Sequence, residues 1–524
     1  MPQINQGKSD GVIVFDENDF SQFAPQGGLT TTVVKSAPGY SYATNIDPYR
    51  RVGYVSPGLL PTSATNNSQM SGTYGVAFCQ NTSSYGYVLT NSGKILELNY
   101  SSNTLTSSGD YPHTIAHGAH TGYSGSDVVI YQHNLGGAVT RSAFFSYNDG
   151  TDFNVGRIGT VVASPSFTDD FMSTVPASPL AGSDLTYGKD FPHPLCVGAD
   201  DKLYIGSGRY LHAYDGGTGT NGTFIAKVLI LPQGFIITSI CKSPNFLLIG
   251  GIYALGNTPL SAQNTNEALV YTWNYTDLDV TSAIPCEDGW LSKVLMYRGT
   301  PMAVTSGAFL NRGSIRVKAL IGDSFKTVAE LPTTSIPLNG GVDVVSNQMF
   351  LNCGGTVFTV GSPFDEGYQV NQIGTLNGTT DSGFIKNIIG GSSRLVIGSS
   401  TGVVDKFNGS FATAQLITSL AEPIFAPQQI GKITCVEVIY KGTVTSGREF
   451  SLDVYSNNGA TITTVINGEA TLSAPTYKRY LNDYQGVAFP QFKDLSLLLS
   501  WQNGASTGAA QISNILVYYD NINI

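Results

Sequence analysis

One phrase recurs along this chain and limits what it can fold into. It is an apolar pair, a polar turn, three consecutive apolar residues, then glycine or small polar residues. The clearest copy is Leu195-Cys196-Val197, the turn Ala199-Asp200-Asp201-Lys202, then Leu203-Tyr204-Ile205 with Gly206-Ser207-Gly208. Further copies run Ser239-Ile240-Cys241 to Phe246–Ile249, Val344-Val345 to Met349-Phe350-Leu351, and Ile388-Ile389 to Leu395-Val396-Ile397. Weaker copies centre on Val88, Val129 and Ala303. Each reads as a β-hairpin. Three apolar residues in a row leave neither face polar, so both faces of the strand are buried. The triplet centres at 88, 129, 204, 248, 303, 350 and 396 are 41, 75, 44, 55, 47 and 46 residues apart. A strand-rich repeat of about 40 to 50 residues is the signature of a β-propeller.

Second strands follow several triplets after a glycine turn: Ile95–Leu98, Leu211–Tyr214, Val357–Val360 and Val403–Phe407. Such glycines supply the positive φ that tight hairpins need. Four strands per period fit a blade. The expected fold is all-β: a seven-bladed β-propeller, with six to eight blades allowed by the spacing, followed by a C-terminal β-sandwich. The long 75-residue step implies either an insertion, for which 151–192 is the natural place, or one blade that the pattern does not show. Residues 1–69 form an N-terminal segment with a propeller-closing strand, Gly11-Val12-Ile13-Val14-Phe15, which would cover an open sheet edge. The propeller spans 70–425. Pro423 and Pro427 mark a boundary. Beyond it, Ile433–Tyr440, Leu452–Tyr455, the alternating Leu495, Leu497, Leu499 and Trp501, and Ile515, Val517 and Tyr519 predict a sandwich over 426–524.

Composition agrees. Charged residues make up 12% of the 524, against about 25% in an ordinary soluble domain. Glycine contributes 60 residues and hydrophobic residues 41%. A charge-poor, apolar chain is neither disordered nor built from the Glu, Lys, Arg and Ala of helical proteins. The net charge of −10 and the lack of any basic cluster argue against nucleic-acid binding; Arg50-Arg51 reads as an exposed pair near a turn. No run reaches the 18 or so apolar residues of a membrane helix, because Ala226 to Ile240 is broken at Pro232-Gln233-Gly234. The polar start MPQINQGKSDG does not read as a signal peptide. The six cysteines show no zinc spacing and read as free buried thiols. Sequons such as Asn66, Asn99, Asn221 and Asn274 then follow from composition alone.

Candidate chemistry is sparse. His113, His117 and His120 form H-x3-H-x2-H, three imidazoles of the kind zinc takes. That spacing converges on a helix, whereas this segment is glycine-rich and turn-like, so ordinary histidines are expected and metal binding is left open. Ser146 to Phe153 resembles a degraded Asp-box of sialidase-type propellers, with Asn148 where Asp is expected and Asp152 where Thr is expected. In that family the motif is a hairpin turn, and no arginine cluster accompanies it here. Asp200-Asp201 reads as a turn, since neighbours on a strand point to opposite faces. Asp169-Asp170, after Thr168, could line a groove or bind a cation. No phosphate, dinucleotide or nucleophile motif is present. Tyrosine is abundant, 28 residues, with Tyr40, Tyr42, Tyr49 and Tyr54 close together. They suit sugar stacking or protein contact, or simply strand propensity. No catalytic, cofactor-binding or metal residue is assigned, no cofactor is expected, and ligand-binding residues stay unassigned.

The run Asn45-Ile46-Asp47-Pro48-Tyr49-Arg50-Arg51-Val52-Gly53-Tyr54-Val55-Ser56-Pro57-Gly58, followed by β repeats, resembles propeller proteins carried in tailed-phage structural modules. The end Ile512-Ser513-Asn514-Ile515-Leu516-Val517-Tyr518-Tyr519 is similar to sandwich ends in those proteins. The resemblance implies a non-enzymatic virion component of the tail or another surface appendage, made in the host cytoplasm without a signal peptide. Expected partners are other virion proteins, further copies of itself within a particle, and a host surface glycan or receptor, with no nucleic acid and no membrane insertion. Two alternatives remain: a carbohydrate-binding, lectin-like propeller, and a glycoside hydrolase or lyase on a propeller.

Overall fold

The apolar triplets lie in antiparallel sheets of four or five strands. The computed structural model describes residues 11–15, 40–46, 55, 57–107, 109–116, 122–135, 138–150, 153–159, 165–174, 192–217, 222–253, 267–307, 314–345, 348–361, 368, 370–390, 393–418, 428–441, 450–456, 461–469, 476–481, 489–501 and 511–523. Among the described residues, seven such sheets follow one another, six of four strands and the first of five because His113–Thr114 also pairs with Lys94–Asn99, with first strands starting at Gly75, Ser124, Leu195, Phe235, Trp290, Val342 and Ile385. The fold is an all-β propeller of these blades with a β-sandwich. Six of the seven triplets fall on second strands, such as Leu203–Ser207 and Gln348–Cys353, which are buried throughout. Burial of both faces is what makes their apolar residues consecutive.

Three sequence expectations need correction. First, Val129 lies on a first strand, Ser124–Leu135, whose partner Ala138–Asn148 carries the second-strand position. Measured from that second strand, the long step shortens, and among the described residues the next blade in sequence begins at Leu195. Second, the insertion expected around 151–192 begins inside that same blade: Phe153–Ile158 and Phe167–Thr168 are its third and fourth strands. Third, Gly11–Phe15 does not close the propeller. It pairs with Gln511–Asn523, Gly11 opposite Tyr519 and Phe15 opposite Ile515. Val12 and Val14 are exposed while Phe15 is fully buried. That alternation suits a sheet with one buried face, not a blade.

The seventh blade instead takes Leu59–Ser63 as its outermost strand, beside Val403–Phe411. Pro61 lacks an N–H, which an edge strand tolerates. Ser63 donates its hydroxyl to buried Asp405 at 2.7 Å, and the Ala64 N–H bonds the Val404 carbonyl at 2.8 Å.

The sandwich has two five-stranded sheets. One runs Gly11–Phe15, Gln511–Asn523, Gln429–Lys441, Thr476–Leu481, with Gln491–Phe492 also on Gln429–Lys441. The other runs Tyr40–Thr44, Ala414–Thr418, Leu495–Trp501, Phe450–Ser456, Thr461–Glu469. The sandwich thus recruits three strands from outside 426–524. Leu452, Val454, Leu497 and Leu499 of one sheet and Val436, Val438, Ile515 and Val517 of the other share one apolar core. The chain divides into two compact units. Residues Met1–Leu60, Phe358–Thr375 and Asn408–Ile524 form one; Pro61–Val357 and Leu376–Phe407 form the other.

Candidate functional site

The first strand of each blade is a sheet edge, and half of its N–H groups have no strand partner. Buried N–H groups must be bonded, and in this propeller side chains from the preceding blade do it. The Leu195 N–H donates to the Asp127 carboxylate at 3.0 Å. The Val294 N–H donates to the Ser239 hydroxyl at 3.1 Å. The Asn387 N–H donates to Asp343 at 3.0 Å, and the Lys386 ammonium pairs with the same carboxylate at 2.8 Å. The Gly75 N–H donates to the Ser399 hydroxyl at 2.8 Å, tying the seventh blade to the first.

Sequence reading missed these ties, although a signal existed. Gly125-Ser126-Asp127-Val128-Val129 and Gly341-Val342-Asp343-Val344-Val345 share the pattern G-x-D-V-V in blades two and six. In both, the aspartate reaches the next blade's first strand. Burial raises the Asp127 carboxyl above its usual range, opposed by the Lys293 charge, the Leu195 and Val128 N–H bonds and the Lys386 charge.

A second polar group sits inside the fifth blade. Asp288 accepts from the Thr305 hydroxyl at 2.5 Å and from Arg316 at 2.7 Å, and lies 2.9 Å from the Lys318 ammonium. Asp288 and Lys318 are both buried. A buried charge needs such partners.

Where the segments leading into blades one, two, three and six meet, a cavity of about 300 Å³ opens. Val76, Ser124, Gly125, Ser126, Asn148, Pro192, His193, Leu338, Asn339 and Gly340 line it. Its walls approach closely: a Cβ on Gly340 would sit 2.1 Å from the Val76 carbonyl oxygen, and one on Gly125 2.4 Å from that of Thr90. Asn339 donates its amide to Asp127 at 3.2 Å. A separate depression of about 590 Å³ lies on one sandwich sheet, lined by Thr413, Ala414, Gln415, Ser451, Asp453, Ser500 and Trp501.

The residues singled out from sequence fall into place unevenly. His113 bonds Asp169 at 2.7 Å and stacks on Phe167 at 3.9 Å; His117 and His120 lie outside the described residues. Asp169 also accepts the Ala116 N–H at 2.9 Å, so it braces this segment. Asp200 accepts from Lys202 at 3.0 Å and from the Tyr204 hydroxyl at 2.8 Å, within a turn where Asp201 has φ +59°. The Asp-box-like segment is a hairpin turn between Ala138–Asn148 and Phe153–Ile158, with the Gly150 N–H on the Asn148 side chain at 2.8 Å; Thr151 and Asp152 lie outside the described residues. So do Tyr49, Arg50, Arg51 and Tyr54, while Tyr40 and Tyr42 belong to the strand Tyr40–Thr44. The six cysteines are free, four of them buried. Burial pushes the Cys79, Cys196 and Cys286 thiols up to about 12. Among the described residues no group of three or more His, Cys, Asp or Glu is arranged to hold a metal ion.

No protein-family model matches the chain, and no curated protein matches it. Solved structures do. The Dos1 propeller is 12% identical, with TM-score 0.37, over 64% of this chain and 79% of that one. The Cps50 (Swd1) β-propeller domain from Myceliophteria thermophila is 6% identical, with TM-score 0.38, over 66% and 99%. An exo-β-1,3-galactanase from Phanerochaete chrysosporium, solved with β-1,3-galactotriose, is 10% identical, with TM-score 0.32, over 88% and 99%.

Proposed function

We propose that this protein is a non-enzymatic structural component of a phage virion, with the propeller as a rigid platform for contacts to neighbouring virion proteins and to the host surface. One observation carries the non-enzymatic half. The carboxylates one would recruit for acid/base chemistry at the first strands, Asp127 and Asp343, already accept backbone N–H groups of the next blade. A glycosidase needs two carboxyl groups about 5 to 9.5 Å apart and available to substrate. Using either aspartate would untie two blades. The virion half rests on the charge-poor, Gly/Ser/Thr/Asn-rich composition and on the resemblance of Asn45 to Gly58 and Ile512 to Tyr519 to phage propeller proteins. Within the sandwich unit, Ile46 bridges Pro57 and Val55 bridges Ile512.

The test is co-sedimentation with nuclease-resistant DNA particles from the source, followed by antibody-gold labelling. Label at a fixed point on the particles supports the reading, and its position separates inner structural from host-contact roles. A chain that stays with soluble or cell-surface material overturns it.

A further inference from the structure

We infer that the cavity between the lead-in segments of blades one, two, three and six binds a single neutral sugar ring. The site stands whether or not the protein belongs to a virion. Its volume, about 300 Å³, lies at the lower end of small-molecule sites. Its lining mixes two chemistries. Ser124, Ser126, Asn148 and Asn339 carry neutral hydrogen-bonding groups, while Val76, Pro192 and Leu338 present apolar surface. A pyranose needs this combination, with hydroxyls around its rim and C–H groups on its faces.

The polar groups are held in place before any ligand arrives. The Asn339 amide N–H is fixed on Asp127, which leaves its buried carbonyl oxygen without a partner among the described residues. An unsatisfied buried acceptor costs about 1–3 kcal/mol, and a sugar hydroxyl would satisfy it. The Ser126 hydroxyl oxygen accepts the His193 N–H at 2.6 Å, which leaves its proton to donate. The His193 ring is pinned from two sides: Nδ1 lies 3.3 Å from the Gly206 carbonyl, and the ring stacks on Phe153 at 4.3 Å. Preorganised groups lower the ordering cost of binding.

Charge argues for a neutral ligand. Asp127 stands behind Asn339, and the positive charges of Lys293 and Lys386 oppose it. A neutral ligand leaves this balance undisturbed.

The experiment is saturation-transfer NMR on the full chain with glucose, galactose, mannose, rhamnose and N-acetylglucosamine, and with inorganic phosphate as the charged control. We expect saturable binding of at least one sugar, with Kd about 1 mM, and none of phosphate. Ser124→Trp, at the start of its strand, fills the cavity and should weaken binding at least tenfold with an unchanged melting midpoint. Ser124→Val keeps a strand-forming residue, removes one hydroxyl, and should weaken binding several-fold even if the tryptophan variant fails to fold. Absence of saturable binding across the panel overturns the inference, as does binding that ignores both variants or phosphate binding that responds to them. Particle labelling is unaffected by any of these outcomes, so failure here and failure of the virion reading are separable.

Discussion

The propeller and the sandwich solve the same problem in opposite ways. In the sandwich, each strand buries one face, and one apolar core, from Phe15 through Trp501 to Val517, holds two sheets together. In the propeller, blades bury both faces, and the cohesion is part polar. The Asp127, Ser239, Asp343 and Ser399 side chains reach across to the next blade's backbone. Polar side chains therefore mean different things in the two regions. A buried charged residue in the propeller is a tie until shown otherwise, whereas the buried polar side chains of the sandwich strands, Thr418 and Ser456, are neutral, and Thr418 accepts the Leu497 N–H of its own sheet.

Substitutions can break this contrast, and the largest effect belongs to Asp288. Asp288→Ala strands Lys318 and Arg316 in or near the fifth blade, and removing one partner of a buried charge cluster costs about 3–5 kcal/mol. In urea melts read by peptide-resolved hydrogen exchange, peptides from residues 290–331 should open at lower urea, and those from 495–501 should not. Leu499→Ala should do the reverse. Leu499 is fully buried in the sandwich core, and such truncations cost about 2–5 kcal/mol. Equal shifts in both units for either variant would erase the distinction.

A pH change sharpens it further, because all six histidines lie between His113 and His212 and none in the sandwich strands. Burial lowers both His133 and His212 to about 4, helped by Arg157 at His133 and by Lys227 and His193 at His212. The neutral form is the native one, since His212 Nδ1 accepts the Lys227 N–H at 3.2 Å. Unfolded histidine titrates near 6.5. Their contribution is therefore complete above about pH 6.5, declines as pH falls, and is fully lost below about 4. Melting at pH 7.5 and 5.0 should show an earlier propeller transition at the lower pH, and His212→Asn should reduce that loss. The smallest effect is expected at Asp453, on the lining of the sandwich depression. Asp453→Asn should move the sandwich midpoint by no more than about 0.5 kcal/mol.

The architecture was legible because buried-on-both-faces strands write themselves as apolar triplets. Where the pattern failed, the reason is local. Val128-Val129-Ile130 sits on a 12-residue first strand, so its apolar triplet falls one strand ahead of the others. Leu59-Leu60-Pro61-Thr62-Ser63 carries a proline and little β signal, so Gly11–Phe15 reads as the stronger closing strand. The cavity was not legible, because it is assembled from Ser124, His193 and Asn339, far apart in sequence. The ties were half legible. G-x-D-V-V occurs twice, but which N–H lacks a strand partner is a property of blade packing.

The most direct test of the claim that these polar groups are ties is the hydrogen exchange of the Leu195 amide in the native protein and in Asp127→Ala. The account predicts strong protection in the native chain and a marked rise in exchange for the peptide covering 193–197 in the variant, with a lower propeller midpoint. Unchanged exchange and an unchanged midpoint would contradict it, and would release Asp127 for chemistry.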